Sequence, residues 1–166
     1  MIYIILYLVA IVAANLLVTW FGAGVVIVNA FLFIGLDLTA PDKLHEAWDN
    51  NGLLWKMALL IGAGSVLSWI LNRNAGQIAI ASFVAFACAG AVDAIVYHLL
   101  KGKHKLIKIN GSNVFSALID SIVFPTLAFG ALMPLIILGQ FAAKVGGGFV
   151  WSLVLNKRKS LDTGKE

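Results

Sequence analysis

The chain alternates between long apolar runs and short polar or charged connections. The apolar runs cover Ile2–Phe21, Val25–Leu38, Leu53–Leu71, Gln77–Leu100 and Asn113–Leu155. A helix needs about 20 mostly apolar residues to cross the ~30 Å hydrocarbon core of a bilayer. Each of the first four runs therefore predicts one membrane-spanning helix. The second run is short and is expected to extend through the corner at Gly22–Gly24.

The last run is too long for a single span. Gly130 and Pro134 offer the break, which predicts a fifth helix near Asn113–Met133 and a sixth near Leu135–Leu155. The pattern as a whole predicts an all-α, polytopic membrane protein with six transmembrane helices.

The basic residues predict the orientation of these helices. Six spans place ten of the twelve Lys and Arg residues on one side, Arg73 on the other and Lys144 inside helix six. Cytoplasmic connections carry an excess of Lys and Arg, so both termini are expected in the cytoplasm. Residues 1–156 then form a transmembrane domain in the cell inner membrane, and residues 157–166 form a polar cytoplasmic tail.

The connection between the second and third runs carries the features of a helix start. Thr39 suits a cap and Pro41 suits the first turn. Leu44 and Trp48 share a face at i and i+4. We expect an interfacial helix at about residues 40–49 under the cytoplasmic leaflet, anchored by Trp48.

Composition excludes an ordinary soluble domain. The chain is 61% hydrophobic and 12% charged, whereas soluble domains run near 45–50% and 25%. The excess apolar surface must face a lipid bilayer. The net charge of +4 does not indicate nucleic acid, because the basic residues lie in connections and the tail. No basic segment precedes the first run, so a cleaved signal peptide is not expected.

Three charged residues lie inside the predicted spans: Asp93, Asp120 and Lys144. A charge near the bilayer centre costs ~2.5–3.5 kcal/mol and normally faces a partner or a wet cavity. The predicted helix ends put both aspartates ~10 Å from the cytoplasmic side and Lys144 ~15 Å deep. All three are expected to meet in one cavity. A packing ion pair is the alternative, but two acids and one base leave a carboxylate over, which favours a substrate or proton site.

The two aspartates begin a repeated phrase. Asp93-Ala94-Ile95-Val96-Tyr97 and Asp120-Ser121-Ile122-Val123-Phe124 share the pattern Asp-x-Ile-Val-aromatic. Because the fourth and fifth helices are predicted to be antiparallel, the copies would face each other in inverted orientation, as in many transporters. Chance similarity in a chain rich in Ile and Val is the alternative.

Other features limit the function. Asn15, Asn29 and Gln140 can reach the same cavity, although such residues also form helix–helix hydrogen bonds. The sequence contains no nucleotide fingerprint, no two-histidine metal spacing and no serine or cysteine with an obvious base. We expect neither an enzyme nor a metal or cofactor site.

Several motifs, in this order and spacing, resemble the queuosine-precursor transporter family, which is also called vitamin-uptake-transporter-like. They are Ile34-Gly35-Leu36-Asp37-Leu38-Thr39, Asp42-Lys43-Leu44-His45-Glu46, Ser82-Phe83-Val84-Ala85-Phe86 with Asp93 and Tyr97, and Asp120-Ser121-Ile122-Val123-Phe124. The likeness runs from Asn15 to about Lys144. It implies a six-helix inner-membrane importer of 7-cyano-7-deazaguanine or a related deazapurine.

The resemblance carries the acidic positions of the family onto Asp37, Glu46, Asp93 and Asp120. The chain departs from the family in being shorter than typical members. It also has Gly90-Ala91 where many members carry another acid.

The chemistry of a guanine-like base suggests roles for the site residues. A carboxylate accepts two adjacent N–H donors as a bidentate pair, so we expect Asp93 and Asp120 to bind the base edge and Lys144 to balance charge. The ring carbonyl needs a donor, for which Lys144, Asn15, Asn29 and Gln140 are candidates. Flat heterocycles stack on aromatic side chains, of which the candidates are Tyr97, Phe124, Phe86 and Trp20.

Two other interpretations remain open. The chain is compatible with a substrate-binding membrane subunit of a multi-component importer driven by a separate ATPase. From a different class, it is compatible with a non-transport membrane scaffold or lysis protein, which predicts no ligand. A homo-oligomer is compatible with each of them.

Overall fold

A computed structural model describes residues 2–33 and 53–162 of the chain. The described residues are helical, with no strand among them. The helices are α1 (Ile2–Phe21), a segment α2 (residues 25–33), α3 (Leu53–Leu71), α4 (Gly76–Leu99), α5 (Lys105–Phe129) and α6 (Pro134–Asp162). The predicted interfacial helix at residues 40–49, with Asp37 and Glu46, lies outside the described residues.

The first two helices form a hairpin rather than one long rod. The Asn29 side chain donates to the Ala14 carbonyl at 3.0 Å, although a straight helix would separate these residues by ~22 Å. The reversal occurs in the 3₁₀ turn Gly22–Gly24. Gly22 has φ 71°, a left-handed conformation in which glycine avoids the steric cost of a Cβ.

Helices α1 and α3 run parallel. A Cβ added at Gly64 would lie 2.7 Å from the Ile11 side chain, and one turn further on Asn15 donates to the Ser68 hydroxyl at 3.2 Å. Both pairs are 53 residues apart in sequence, and a constant separation requires the same direction. The absence of a side chain at Gly64 lets the two helices approach closely.

Helices α3, α4 and α5 reverse direction at each connection. Gly62 faces Phe83 and Gly76 faces Trp69, a pairing that requires antiparallel α3 and α4. The Gln77 amide donates to the Leu127 carbonyl on α5 at 3.1 Å. That bond joins the first turn of α4 to the last turn of α5, and Leu100 at the end of α4 packs on Gly111 toward the start of α5. The two helices are therefore antiparallel.

The break between α5 and α6 lies at the predicted glycine and proline. Helix α5 ends at Phe129, Gly130 has φ 68°, and α6 begins at Pro134. A left-handed glycine after the last helical residue is a common helix end, and proline suits the first turn.

The predicted start of helix five and the predicted end of helix six were wrong. Helix α5 begins at Lys105 rather than near Asn113, so it takes in part of the connection between the runs Gln77–Leu100 and Asn113–Leu155. Helix α6 continues to Asp162, past the predicted end near Leu155. Hydropathy marks where a helix leaves the apolar core, whereas the backbone hydrogen bonds of a helix continue into water when no breaker follows.

Three apolar helical stretches are long enough to cross a membrane: Ile4–Phe33, Arg73–Leu99 and Gly111–Phe129. The first of them includes the Gly22–Gly24 turn, and α1 alone supplies 20 residues. A shorter apolar helix covers Trp55–Leu71. Exposed Leu, Ile, Val, Phe and Trp side chains are frequent on these helices, as a lipid-facing surface requires. The chain is therefore a membrane protein, and its described residues form helices and no strand. Six spans and two cytoplasmic termini stay predictions.

An apolar cluster fills the end of the bundle that holds the Gly22–Gly24 corner. It joins four helices, and its buried members are Val18, Val26, Ile78, Ala81 and Ala128. Phe124 and Phe129 pack against the cluster from α5. This end of the bundle is therefore closed by packed side chains.

Candidate functional site

A cavity of about 830 Å³ lies between the helices, beside the apolar cluster. All six helices contribute lining residues. Its polar side chains are Asn15, Asn29, Ser82, Asn113, Ser116, Asp120, Gln140 and Lys144, and its aromatic side chains are Tyr7, Phe33, Phe86 and Phe124. Six of the eight substrate-binding residues predicted from sequence lie on this surface: Asn15, Asn29, Asp120, Phe124, Gln140 and Lys144.

An ion pair between α5 and α6 forms the charged part of the cavity. The Lys144 ammonium donates to Asp120 Oδ2, and the Gln140 amide donates to the same oxygen at 3.3 Å. Gln140 and Lys144 are four residues apart, so they share one face of α6. The Lys144 and Asp120 side chains are only 16% and 20% exposed. The pair brings a carboxylate and an ammonium into the bundle with their charges matched. This is the ion-pair alternative raised from the sequence, and Asp93 does not line the cavity beside it.

Asn15 joins helices as well as lining the cavity. Its amide donates to the Ser68 hydroxyl at 3.2 Å, and that hydroxyl donates to the Gly64 carbonyl at 2.7 Å. Asn15 and Ser68 are 2% and 0% exposed. A buried polar chain of this kind fixes the register of α1 on α3. The helix-to-helix alternative raised from the sequence is therefore realised at Asn15.

Asp93 lies apart from the cavity. It continues the α4 stripe of Ser82, Phe86 and Ala89, which do line the cavity, but it is not a lining residue itself. The structure therefore places Asp120 on the cavity surface and Asp93 off it.

Of the three charged side chains expected in one cavity, Asp120 and Lys144 line it and Asp93 does not. A substrate-binding role for Asp93 stays a prediction. One oxygen of Asp93, Oδ1, is buried without a hydrogen-bond partner among the described residues.

Two of the four aromatic side chains expected to stack on a ligand line the cavity, and two do not. Phe124 and Phe86 line the cavity. Tyr97 is 41% exposed and Trp20 is 62% exposed, and neither is a lining residue. Of the four aromatic candidates from sequence, Phe86 on α4 and Phe124 on α5 are thus the two that line the cavity.

Sequence reasoning missed several lining residues. Ser82, Asn113, Ser116, Tyr7 and Phe33 all face the cavity. A spacing of four, three and four residues connects Asn113, Ala117, Asp120 and Phe124 on α5, which is the period of one helix face. Extending that period from Asp120 toward the start of α5 would have found Asn113.

A protein family described as "Putative vitamin uptake transporter" matches residues 2–155. The match covers the cavity and nearly all of the chain. The chain belongs to this family. The family description indicates a membrane transporter of vitamin-like substrates, in agreement with the apolar helices and the polar cavity they enclose. Comparison of this vitamin uptake transporter family member with curated proteins and with solved structures finds no significant match.

Proposed function

We propose that this chain is an inner-membrane importer of a queuosine precursor, 7-cyano-7-deazaguanine or a related deazapurine, and that the cargo binds in the central cavity. The observation that carries the proposal is the Asp120–Lys144 ion pair, which lines this cavity together with three phenylalanines. Ligand pockets are usually 300–1,000 Å³ with a few polar groups on apolar walls. The cavity volume of about 830 Å³ lies within this range.

The lining supplies the contacts that a flat, polar heterocycle needs. Phe86 and Phe124 offer ring faces for stacking. An ammonium has three donors, and the bond to Asp120 uses one of them. Lys144 therefore has donors left for a ring carbonyl. Burial of the pair strengthens each of these contacts, because water competes for them less.

The position of the cavity supports transport across the bundle rather than binding at its surface. The apolar cluster around Val18 and Ala128 fills one end. From there the cavity extends along α5 to Asn113 and along α6 to Gly148, toward the end of the bundle where α1 begins. This end is the predicted cytoplasmic side. A second apolar cluster, of Tyr7, Met57, Leu60 and Ile61, packs α1 against α3 toward this end.

Uptake tests this proposal. A bacterial strain unable to make the precursor is given this chain and nanomolar 7-cyano-7-deazaguanine, and queuosine is then measured in its tRNA. We expect queuosine to return with the chain and to stay absent with an empty vector. Absence of queuosine in cells whose membranes contain the protein would contradict the proposal.

A further inference from the structure

Two amide oxygens of cavity-lining residues have no hydrogen-bond partner among the described residues. Asn29 Oδ1 and Gln140 Oε1 are buried, and neither accepts a hydrogen bond among the described residues. Both residues line the cavity, and they are 7% and 4% exposed. An unpaired buried acceptor costs free energy until a donor reaches it. A ligand that donates a hydrogen bond to either oxygen removes this cost.

The orientation of both amides follows from their neighbours. The Asn29 nitrogen donates to the Ala14 carbonyl at 3.0 Å, and a backbone carbonyl can only accept. The Gln140 nitrogen donates to Asp120 Oδ2 at 3.3 Å, and a carboxylate that already receives the Lys144 ammonium also only accepts. Turning either amide over would place two acceptors against each other. In both residues the oxygen is thus the atom left for a ligand.

The two oxygens belong to neighbouring helices. Ile27 on α2 packs directly onto Gly139 on α6. The isoleucine side chain occupies the space that a Cβ at position 139 would fill. Asn29 is two residues beyond Ile27, and Gln140 is the residue after Gly139. The contact between Ile27 and Gly139 therefore brings the two amides to adjacent walls of one cavity.

The charge of the lining limits the ligand as well. The charged lining residues among those described are Asp120 and Lys144, which pair with each other. An anionic or cationic ligand would add an uncompensated charge to a partly buried site, at high cost. An uncharged ligand adds none.

We infer that Gln140 Oε1 and Asn29 Oδ1 accept hydrogen bonds from two N–H donors of an uncharged heterocycle, and so determine which cargo the protein selects. The inference rests on the proposed function for the identity of the cargo. It reverses the roles expected from the sequence, in which the aspartates were to bind the donor edge and the amides were to serve as donors.

Binding to the purified full-length protein in detergent tests the inference. The probes are 7-cyano-7-deazaguanine, guanine, and the analogue of each that lacks the exocyclic amine. Loss of one donor to a buried acceptor changes affinity by about 10- to 100-fold. We expect that discrimination between each base and its analogue in the parent, and discrimination of less than about threefold in Gln140→Leu or Asn29→Leu.

Ser65→Ala is the matched control. Ser65 Oγ is also a buried polar atom without a partner among the described residues, but Ser65 does not line the cavity. This variant should discriminate as the parent does, which separates loss of an acceptor from a general change in packing.

The outcomes distinguish the inference from the proposed function. Binding of guanine but not of the deazaguanine, with full discrimination of the amine, would support the inference and contradict the proposed cargo. Equal binding of a base and its analogue to the parent would overturn the inference, as would unchanged discrimination in both Leu variants or binding of none of the probes.

Discussion

The two copies of the Asp-x-Ile-Val-aromatic phrase have the same sequence pattern but different surroundings. In the α5 copy, Asp120 pairs with Lys144 and Phe124 lines the cavity. In the α4 copy, Asp93 and Tyr97 do not line it, and Asp93 Oδ1 is buried without a partner among the described residues.

The surroundings differ although the residue types match. Asp120 and Phe124 lie on the cavity face of α5, whereas Asp93 lies off the cavity, six residues before α4 ends at Leu99. Two similar phrases on antiparallel helices therefore need not form two halves of one site. The residue after each phrase differs too, since Pro125 interrupts the hydrogen bonds of α5 and His98 follows the α4 copy.

The largest expected effect follows from breaking the ion pair. Asp120→Ala leaves the Lys144 ammonium partly buried and unpaired, so the free energy of unfolding should fall by about 3 kcal/mol. The double variant Asp120→Leu with Lys144→Met replaces the pair by apolar side chains and should stay within about 1 kcal/mol of the parent. Denaturant titration in mild detergent measures both. If the single variant were as stable as the double variant, the ion pair described here would not be present.

A smaller effect is expected at the aromatic position of each phrase. Phe124→Leu keeps apolar volume in the cavity but removes the flat ring, so affinity for 7-cyano-7-deazaguanine should fall by about 3- to 10-fold. Tyr97→Leu is the matched control and should leave the dissociation constant within about twofold of the parent. Isothermal titration of the purified proteins measures both constants. A larger loss in the Tyr97 variant would place the ligand near the α4 copy instead.

Much of the fold was predictable because the bilayer imposes a simple pattern. The predicted runs Ile2–Phe21 and Leu53–Leu71 have the bounds that α1 and α3 show, and α4 differs from its predicted run by one residue at each end. These helices end where polar or glycine residues begin. The start of α5 was missed because Lys105 and Lys108 are good helix formers outside the membrane.

The site was predictable only in part, since its residues come from helices far apart in sequence. Asp120 and Lys144 were found because a membrane-buried charge is rare and needs a partner. The roles of Asn29 and Gln140 were not predictable, because an amide side chain can donate or accept. Only the neighbours of each amide, the Ala14 carbonyl and the Asp120 carboxylate, decide which atom is left for the cavity.

The most direct test of the account compares the two aspartates in the uptake assay. Asp93→Asn and Asp120→Asn are expressed in the precursor-deficient strain at matched membrane levels, and queuosine in tRNA is measured at nanomolar 7-cyano-7-deazaguanine. We expect Asp93→Asn to restore queuosine to within about twofold of the parent, because the exchange lies off the cavity surface. We expect a loss of at least about tenfold for Asp120→Asn, which leaves the Lys144 ammonium without its carboxylate. Full restoration by Asp120→Asn, or a loss confined to Asp93→Asn, would contradict a binding site at the Asp120–Lys144 pair.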